Sequence, residues 1–329
     1  MTDSANAIVR QKEWDPSRET RAILVLLPVY NGSAYLRAQV DSILNQTYPS
    51  VFLLCRDDGS TDDSVRILAD IHRQWPERVR ILKDGRGNLG ASGNFAWLMQ
   101  QALEWALREG FAQPPLPPYI ALSDQDDLWH PDKLAVCAAR LTALEATHPG
   151  LPALVHSDLR VVDQDGRQIA PSMARYQGLQ FQEHGFAAQL LSNTLTGCTA
   201  LLNRRLVEIS LPIPPDAIMH DWWLSLVASA WGVRDYIDQP LIDYRQHNGN
   251  AVGAKELVRQ PLKHSRLKRL FDNRHAEIFR LNARQATAFL KRYRSQLRVY
   301  RRLLLWTARC LAIPFPPLQR ILYRLLRKA

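Results

Sequence analysis

Residues 22–31 read AILVLLPVYN, in which the apolar run Ala22–Leu27 is followed by Pro28, Tyr30 and Asn31. A short apolar run without polar alternation is typical of a strand that is buried on both faces, as in a parallel sheet. Similar runs recur along the chain at Val51–Leu54, Val79–Leu82, Tyr119–Leu122 and Leu154–His156. Together these runs predict a sheet of mostly parallel strands.

Helical patterns lie between the predicted strands, with apolar residues recurring at intervals of three and four. These patterns span Ser33–Gln46, Asp62–Trp75, Ser92–Arg108 and Pro131–Thr147. Alternation of buried strands with helices is the pattern of an α/β fold, in which helices flank both faces of a Rossmann-like sheet. We therefore predict an α/β fold of this kind.

The expected α/β domain covers residues 21–254 and has two halves, 21–150 and 151–254. In the second half the alternation weakens, and we predict a strand at Leu195–Leu202 and a helix at Asp221–Trp231. Residues 1–20 contain acidic residues and no apolar stretch, so we expect a flexible arm and no signal peptide.

The charge of the chain is unevenly distributed. The 329 residues carry a formal net charge of +10, but 20 of the 42 Lys and Arg residues and only three of the 32 acidic residues lie from Lys255 onward. Apolar residues alternate with these bases, which predicts a basic amphipathic helical tail over residues 255–329. Such a tail can bind an anionic membrane surface. The alternatives are that it packs on the catalytic domain or joins subunits into an oligomer.

The composition is that of a folded intracellular protein. Apolar residues make up 46% of the chain and charged residues 22%, which excludes a disordered or fibrous chain. The four cysteines are far apart in sequence, so neither a zinc ligand set nor a disulfide framework is indicated. We therefore expect a cytoplasmic location.

Polar motifs follow three of the predicted strands. They are PVYN from Pro28, DDGS from Asp57 and SDQDD from Ser123. In a doubly wound sheet, ligands bind outside the carboxyl ends of the strands, so one edge is expected to collect all three motifs. Asp124 and Asp126 are suited to a sugar hydroxyl and to a divalent cation, Mg²⁺ or Mn²⁺. The alternative is that these acidic residues only begin the following helix, and that DDGS is only a tight turn with a helix N-cap.

The order of these motifs resembles that of family 2 glycosyltransferases with the GT-A fold. The sequence presents PVYN, DDGS, NLG at Asn88 and then SDQDDLWHPDKL, and the resemblance covers about residues 22–250. It implies a nucleotide-sugar site in which Pro28 and Asn31 shape the pocket wall, Tyr30 and Asp58 hold the base, and Asn88 lies beside it. It also implies that Asp124 lies at the ribose or diphosphate and that Asp126 binds the metal.

The same resemblance assigns two motifs in the second half. Inverting family members place an acidic residue beside the acceptor hydroxyl, and the HDWW motif makes Asp221 the candidate catalytic base, with His220, Trp222 and Trp223 as acceptor-binding residues. The alternative for Asp221 is an N-cap. The YRQH motif implies that Arg245 meets the diphosphate and that His247 is a metal ligand, although a lone histidine is as often structural.

The SDQDDLW block is similar to that of bacterial rhamnosyltransferases. The resemblance implies inverting, metal-dependent transfer of L-rhamnose from dTDP-L-rhamnose to a lipid-linked or cell-surface polysaccharide such as O-antigen. Such an enzyme works as a peripheral protein at the inner face of the bacterial plasma membrane. One alternative is a hexosyltransferase that uses a UDP-sugar. The other is an inactive nucleotide-binding protein whose basic tail binds nucleic acid, but the acidic body and the absence of a recognition motif disfavour nucleic acid as a partner.

Overall fold

The computed structural model describes residues 21–105, 119–179, 185–247 and 275–329. The predicted arm at 1–20 and the first part of the predicted tail, 255–274, lie outside these residues. In the described parts of the chain the architecture is the predicted α/β sheet, curled and flanked by helices, with further helices at the C-terminus.

The described strands form one nine-stranded sheet. In chain order they are β1 (Ile23–Val29), β2 (Val51–Asp57), β3 (Val79–Ile81), β4 (Tyr119–Leu122), β5 (Leu128–Trp129), β6 (Ala153–Val162), β7 (Gln168–Ala170), β8 (Ala200–Leu202) and β9 (Val233–Arg245). Eight of them are hydrogen-bonded in the spatial order β3-β2-β1-β4-β8-β6-β9-β5, and β7 pairs with β6. The predicted strand at Leu195–Leu202 is shorter than expected, since Gly197–Thr199 is a 3₁₀ turn before β8.

Eleven described helices pack on this sheet and on one another. They are α1 (Leu36–Leu44), α2 (Ser64–Gln74), α3 (Gly90–Trp105), α4 (Lys133–Thr147), α5 (Met173–Gln177), α6 (Phe186–Leu191), α7 (Arg204–Ser210), α8 (His220–Trp231), α9 (Ala276–Tyr293), α10 (Val299–Arg309) and α11 (Pro316–Lys328). None of them combines the length and the apolar character that crossing a bilayer requires.

The central strands are buried on both faces, as their continuous apolar runs predict. Alternate residues of β1 enter two different cores, with Leu24 and Leu26 on one face and Ile23, Val25 and Leu27 on the other. Successive side chains of a strand point to opposite faces, so a strand covered by helices on both faces has no polar positions.

Helix α9 belongs to the domain core, so the predicted division into a domain ending at 254 and a separate tail does not describe this helix. Phe289 of α9 is fully buried and meets Trp223 edge-on, with ring centroids 5.2 Å apart. Tyr293 donates a hydrogen bond to the carbonyl of Ile209 at 2.6 Å. The alternative in which the tail packs on the catalytic domain therefore holds for α9.

Candidate active site

Parallel pairing brings the three predicted motifs to one edge of the sheet. In the register of β1 with its two neighbours, Leu26 lies opposite Leu54 of β2 and opposite Leu122 of β4. The three strands run in the same direction, so the residues that follow them emerge together. Pro28 is the second-last residue of β1 and Asp57 is the last residue of β2, so these two motifs begin within the strands.

The loop after β1 is tied to the loop after β2 by hydrogen bonds to short polar side chains. Asn31 has a φ of 49°, a left-handed conformation that asparagine tolerates better than most residues. Its Oδ1 accepts from the backbone N–H of Thr61 at 2.8 Å, and its own N–H donates to Ser60 Oγ at 2.9 Å. Asn31 therefore braces the backbone of the two loops, and its role in the wall of the pocket stays a prediction.

Gln125, the central residue of the DQD segment, joins the end of β4 to the tip of β1. Its Oε1 accepts from the backbone N–H of Tyr30 at 2.8 Å, and its Nε2 donates to the Tyr30 carbonyl at 2.9 Å. A Cβ on Gly32 would lie 2.4 Å from Gln125 Oε1, so glycine is required for this approach. The pair leaves the Tyr30 ring half-exposed at the edge of the sheet, where a planar base can contact it.

Asp58 lies at the tip of β2, and almost all of its carboxylate is buried by the protein. Oδ1 accepts from Arg56 Nη1 at 2.5 Å and from the Leu89 N–H at 2.8 Å, and Oδ2 accepts from the Gly90 N–H at 2.9 Å. Asn88 donates to the Asp58 carbonyl at 3.0 Å. Asp58 therefore also holds the NLG loop beside β2, and its role in base recognition remains a prediction.

Two of the carboxylates that follow β4, Asp124 and Asp127, have raised pKa values. Burial, together with the charges of Asp126 and Asp221, raises the pKa of Asp124 to about 7. Burial and the neighbouring Asp124 and Asp126 hold the pKa of Asp127 well above its usual range. Both pKa values are raised because several carboxylates lie close together where little water reaches them. A bound cation would neutralise this negative charge.

Strand β5 brings His247 to this cluster. Its two residues pair with the end of β9, with Leu128 opposite Asp243. As a result Nε2 of His247 lies 2.8 Å from Oδ2 of Asp126. Nε of Arg245 donates to the Asp126 carbonyl at 3.1 Å, and the guanidinium lies 4.8 Å from the Tyr35 ring centroid.

The side chains of this cluster fit a divalent cation as ligands. Two predicted metal ligands, Asp126 and His247, are in contact with each other. Asp124 lies close enough to Asp126 for the two charges to interact. Carboxylate and imidazole ligands suit Mn²⁺ well, and carboxylates suit Mg²⁺. Ligand atoms of Asp124, Asp127 and Cys198 also lie within 4.8 Å of one another. Burial raises the pKa of the Cys198 thiol well above its usual range, so this sulfur stays protonated and is a poor ligand for a hard cation.

Asp221 lies in the first turn of α8, close enough to Asp124 for the two charges to interact. The N-cap of α8 is Met219, so the alternative role of Asp221 as an N-cap is wrong. Oδ1 accepts from the N–H of Trp222 at 2.6 Å and Oδ2 from the N–H of Gly197 at 3.2 Å. Burial raises the pKa of Asp221 to about 6, although these N–H groups and Asn193 oppose the shift.

The three predicted acceptor-binding residues, His220, Trp222 and Trp223, are all buried. The His220 ring is buried and stacked on Phe95 with ring centroids 4.1 Å apart, and burial lowers its pKa to about 3. Trp223 is completely buried and donates to the Ser210 carbonyl at 3.0 Å, so it packs in the core and does not fit the predicted role of acceptor binding. Trp222 is largely buried and donates to the Gln189 carbonyl at 2.6 Å.

Several residues of the site were not predicted to belong to it. Asp127 follows the DQD segment directly, and its adjacency to two other acids was a usable signal. Arg56 is buried and lies 2.9 Å from Asp84 as well as 2.5 Å from Asp58. Lys133 is buried with Nζ 3.3 Å from the Trp129 ring centroid, and burial lowers its pKa to about 8. Nothing in the local sequence distinguishes Arg56 or Lys133 from surface bases.

Comparison with known proteins gives a consistent result. The family described as Glycosyl transferase family 2 matches residues 24–209, more than half of the chain. The chain is 28% identical over 236 residues to the dTDP-rhamnosyl transferase RfbG of Shigella flexneri, which covers 69% of this chain and 74% of that protein. It is also 32% identical over 149 residues to a chondroitin synthase of Escherichia coli, over 45% of this chain and 18% of the relative.

Among solved structures, S. aureus TarS 1-349 in complex with UDP-GlcNAc superposes with a TM-score of 0.52. The match covers 93% of this chain and 90% of that one at 14% sequence identity. Likeness at this identity shows a shared fold.

Proposed function

The chain belongs to glycosyl transferase family 2, and from this premise we propose that it transfers L-rhamnose from dTDP-L-rhamnose, with inversion, to a lipid-linked or cell-surface polysaccharide such as O-antigen. The observation that carries the catalytic part is the position of Asp221, a buried carboxylate with a pKa raised to about 6 within electrostatic reach of Asp124. The rhamnosyl donor is supported by the similarity to the dTDP-rhamnosyl transferase RfbG.

In the proposed reaction an acceptor hydroxyl attacks the anomeric carbon while Asp221 takes its proton. The bond between that carbon and the diphosphate oxygen breaks, and the nucleoside diphosphate departs with the electron pair. Attack from the opposite side inverts the configuration and needs no covalent intermediate. Asp126 and His247 would hold a divalent cation, Mg²⁺ or Mn²⁺, which supplies charge stabilisation to the departing diphosphate.

The remaining roles concern binding. Tyr30 and Asp58 lie at the tips of adjacent strands, where they are proposed to contact a thymine or uracil ring beside Asn88. Asp124 is proposed to contact the ribose or diphosphate, with Arg245 placed to neutralise the diphosphate charge. The buried His220 is proposed to line the acceptor side next to Asp221. A lipid-linked acceptor places the reaction at the inner face of the bacterial plasma membrane.

The first prediction concerns the donor. We expect dTDP-L-rhamnose to be turned over at least tenfold more efficiently than UDP-glucose or UDP-galactose. The extra methyl of thymine changes the binding free energy of the base by only about 1–3 kcal/mol relative to uracil. A pocket built for a 6-deoxy sugar leaves a hexose hydroxyl without a partner, at a further cost of roughly 1–3 kcal/mol.

The donor is identified by comparing kcat/KM for the three nucleotide sugars with one acceptor preparation. Equal or better turnover of either UDP-hexose would replace the rhamnosyl assignment with a hexosyltransferase. Binding of free dTDP and UDP, measured by calorimetry, is the control, because it reports the base without the sugar.

The second prediction concerns pH. A protonated carboxyl cannot accept the acceptor's proton, so the rate should rise with pH as Asp221, whose pKa is raised to about 6, loses its proton. At pH 5 roughly a tenth of the carboxyl groups are ionised, and kcat/KM should fall to about a tenth of its plateau. The check is kcat/KM between pH 5 and 8 at saturating metal, with donor affinity measured at each pH. A flat profile across this range would remove Asp221 as the base.

A further inference from the structure

The C-terminal hairpin, which we define as residues 299–328, exposes an unusual amount of apolar surface. Of the 13 large hydrophobic side chains that are exposed in the described parts of the chain, eight belong to it, with exposed fractions between 45% and 69%. They are Val299, Tyr300, Leu303, Trp306, Ile313, Phe315, Ile321 and Leu325. Clustered exposed apolar side chains mark an interaction surface, whereas single ones do not.

The exposed side of the hairpin is opposite the side that packs on the domain. On α10 the exposed Val299, Leu303 and Trp306 recur at intervals of four and three, which places them on one face. The opposite face of α10 carries Leu304, Leu305 and Ala308, all buried in the domain core. This helix therefore already uses one apolar face for folding and presents a second one outward.

The two helices lie side by side in opposite directions. The Tyr300 hydroxyl, at the start of α10, donates to the carbonyl of Ala329 at 2.8 Å, so the start of α10 meets the end of α11. On α11 the exposed Ile321 and Leu325 are four residues apart, and Leu326 is buried in the core. The hairpin is thus anchored along both helices, and its outward residues belong to a folded element.

The charge of this region is of one sign. The hairpin, residues 299–328, contains seven Lys and Arg residues and no Asp or Glu. Bases accompany the outward apolar side chains, and the Arg309 guanidinium lies 4.3 Å from the Trp306 ring centroid. Arg324 and Lys328 are exposed on the same helix as Leu325. The surface is therefore both apolar and strongly cationic.

We propose that the outward face of the C-terminal hairpin docks on an anionic lipid bilayer, with the apolar side chains entering the headgroup boundary and the bases meeting lipid phosphates. Aromatic side chains are favoured at that depth, and long basic side chains can lie along apolar surface while their charges reach the headgroups. A second copy of this chain would bring like charges together, and a nucleic acid backbone offers nothing to the apolar side chains. This docking rests on the proposed function, in which a lipid-linked acceptor brings the enzyme to the inner face of the plasma membrane.

The test is flotation of the full chain with vesicles of phosphatidylcholine, alone or mixed with phosphatidylglycerol. We expect binding to the mixed vesicles. The double variant Leu303→Ser with Leu325→Ser should lower the partition coefficient roughly tenfold or more, since both exposed side chains lose their apolar contact with lipid. Arg324→Gln with Lys328→Gln should lower the partition coefficient on mixed vesicles by a similar factor, because each basic residue near an anionic surface contributes to the binding free energy.

Matched controls separate this surface from the rest of the molecule. Val65→Ser with Ile169→Ser removes two exposed apolar side chains, and Arg73→Gln with Arg167→Gln removes two exposed charges, all on the catalytic body. Both control variants should bind vesicles like the unaltered chain. Donor-induced thermal shifts should be the same in all variants, so failure of the donor assignment cannot be mistaken for failure of docking.

Undiminished vesicle binding by both hairpin variants would overturn the proposal. So would a concentration-dependent dimer, seen by sedimentation, that the Leu303→Ser and Leu325→Ser pair dissociates while vesicle binding is unchanged. In that case the face joins two copies of the chain.

Discussion

Replacing Asp221 by Asn is expected to lower kcat by roughly 10²–10⁴-fold with little change in donor affinity. The carboxylate is proposed to take the acceptor proton, and an amide of nearly the same size cannot. Asp221 is not the N-cap of α8, since that position belongs to Met219, so the loss does not follow from an unravelled helix. The measurement is single-turnover transfer with dTDP-L-rhamnose, together with dTDP binding.

A matched control for this substitution is Asp158→Asn. Asp158 is also a buried carboxylate that accepts backbone hydrogen bonds, from Leu159 at 2.8 Å and from Ala174 at 3.1 Å, but it lies outside the proposed site. We expect Asp158→Asn to lower the Tm and to leave kcat nearly unchanged. If Asp221→Asn behaved in the same way, Asp221 would be a structural residue.

Loss of the proposed metal site is expected to have the second large effect. Asp126→Ala, or EDTA added to the unaltered protein, should lower transfer roughly 10³-fold or more, because stabilisation of the leaving diphosphate by a cation is worth several kcal/mol. His247→Gln should weaken Mn²⁺ binding at least about tenfold. Metal affinity is measured by calorimetry without donor, so that the result does not depend on catalysis.

The chain provides a close control for the Asp126–His247 pair. Nε2 of His130 lies 2.9 Å from Oδ1 of Asp243, which has nearly the same geometry. Asp243 also accepts from Arg160 at 2.7 Å, so the guanidinium of Arg160 already balances the charge of this carboxylate. His130→Gln should leave Mn²⁺ affinity unchanged. Full activity of the unaltered enzyme in buffer freed of metal by a chelator would contradict the metal assignment.

Much of the architecture of the first half, residues 21–150, was predictable from local sequence. The run Ala22–Leu27 predicts a strand buried on both faces, and β1 divides its side chains between two cores. Parallel strands place their carboxyl ends together, so the motifs around Tyr30, Asp58 and Asp124 had to share one edge. These conclusions depend on strand periodicity and turn chemistry, which act over a few residues and are therefore visible in the sequence.

The polar framework of the site depended on long-range packing. Gln125 contacts Tyr30, which lies 95 residues away in the sequence. His247 contacts Asp126, which lies 121 residues away, because β5 pairs with β9. Such contacts depend on strand register between distant segments, and short motifs do not encode that register.

Burial decided the remaining assignments. Trp223 was expected at the acceptor site, but α9 covers it, and Phe289 of the same helix was assigned to a separate tail. An amphipathic helix has an apolar face that can be buried against its own domain, a partner or a lipid surface, and its pattern is the same in each case. The sequence therefore predicts that the C-terminal helices have apolar faces. Only the packed structure distinguishes the faces that complete the core from those that remain outside.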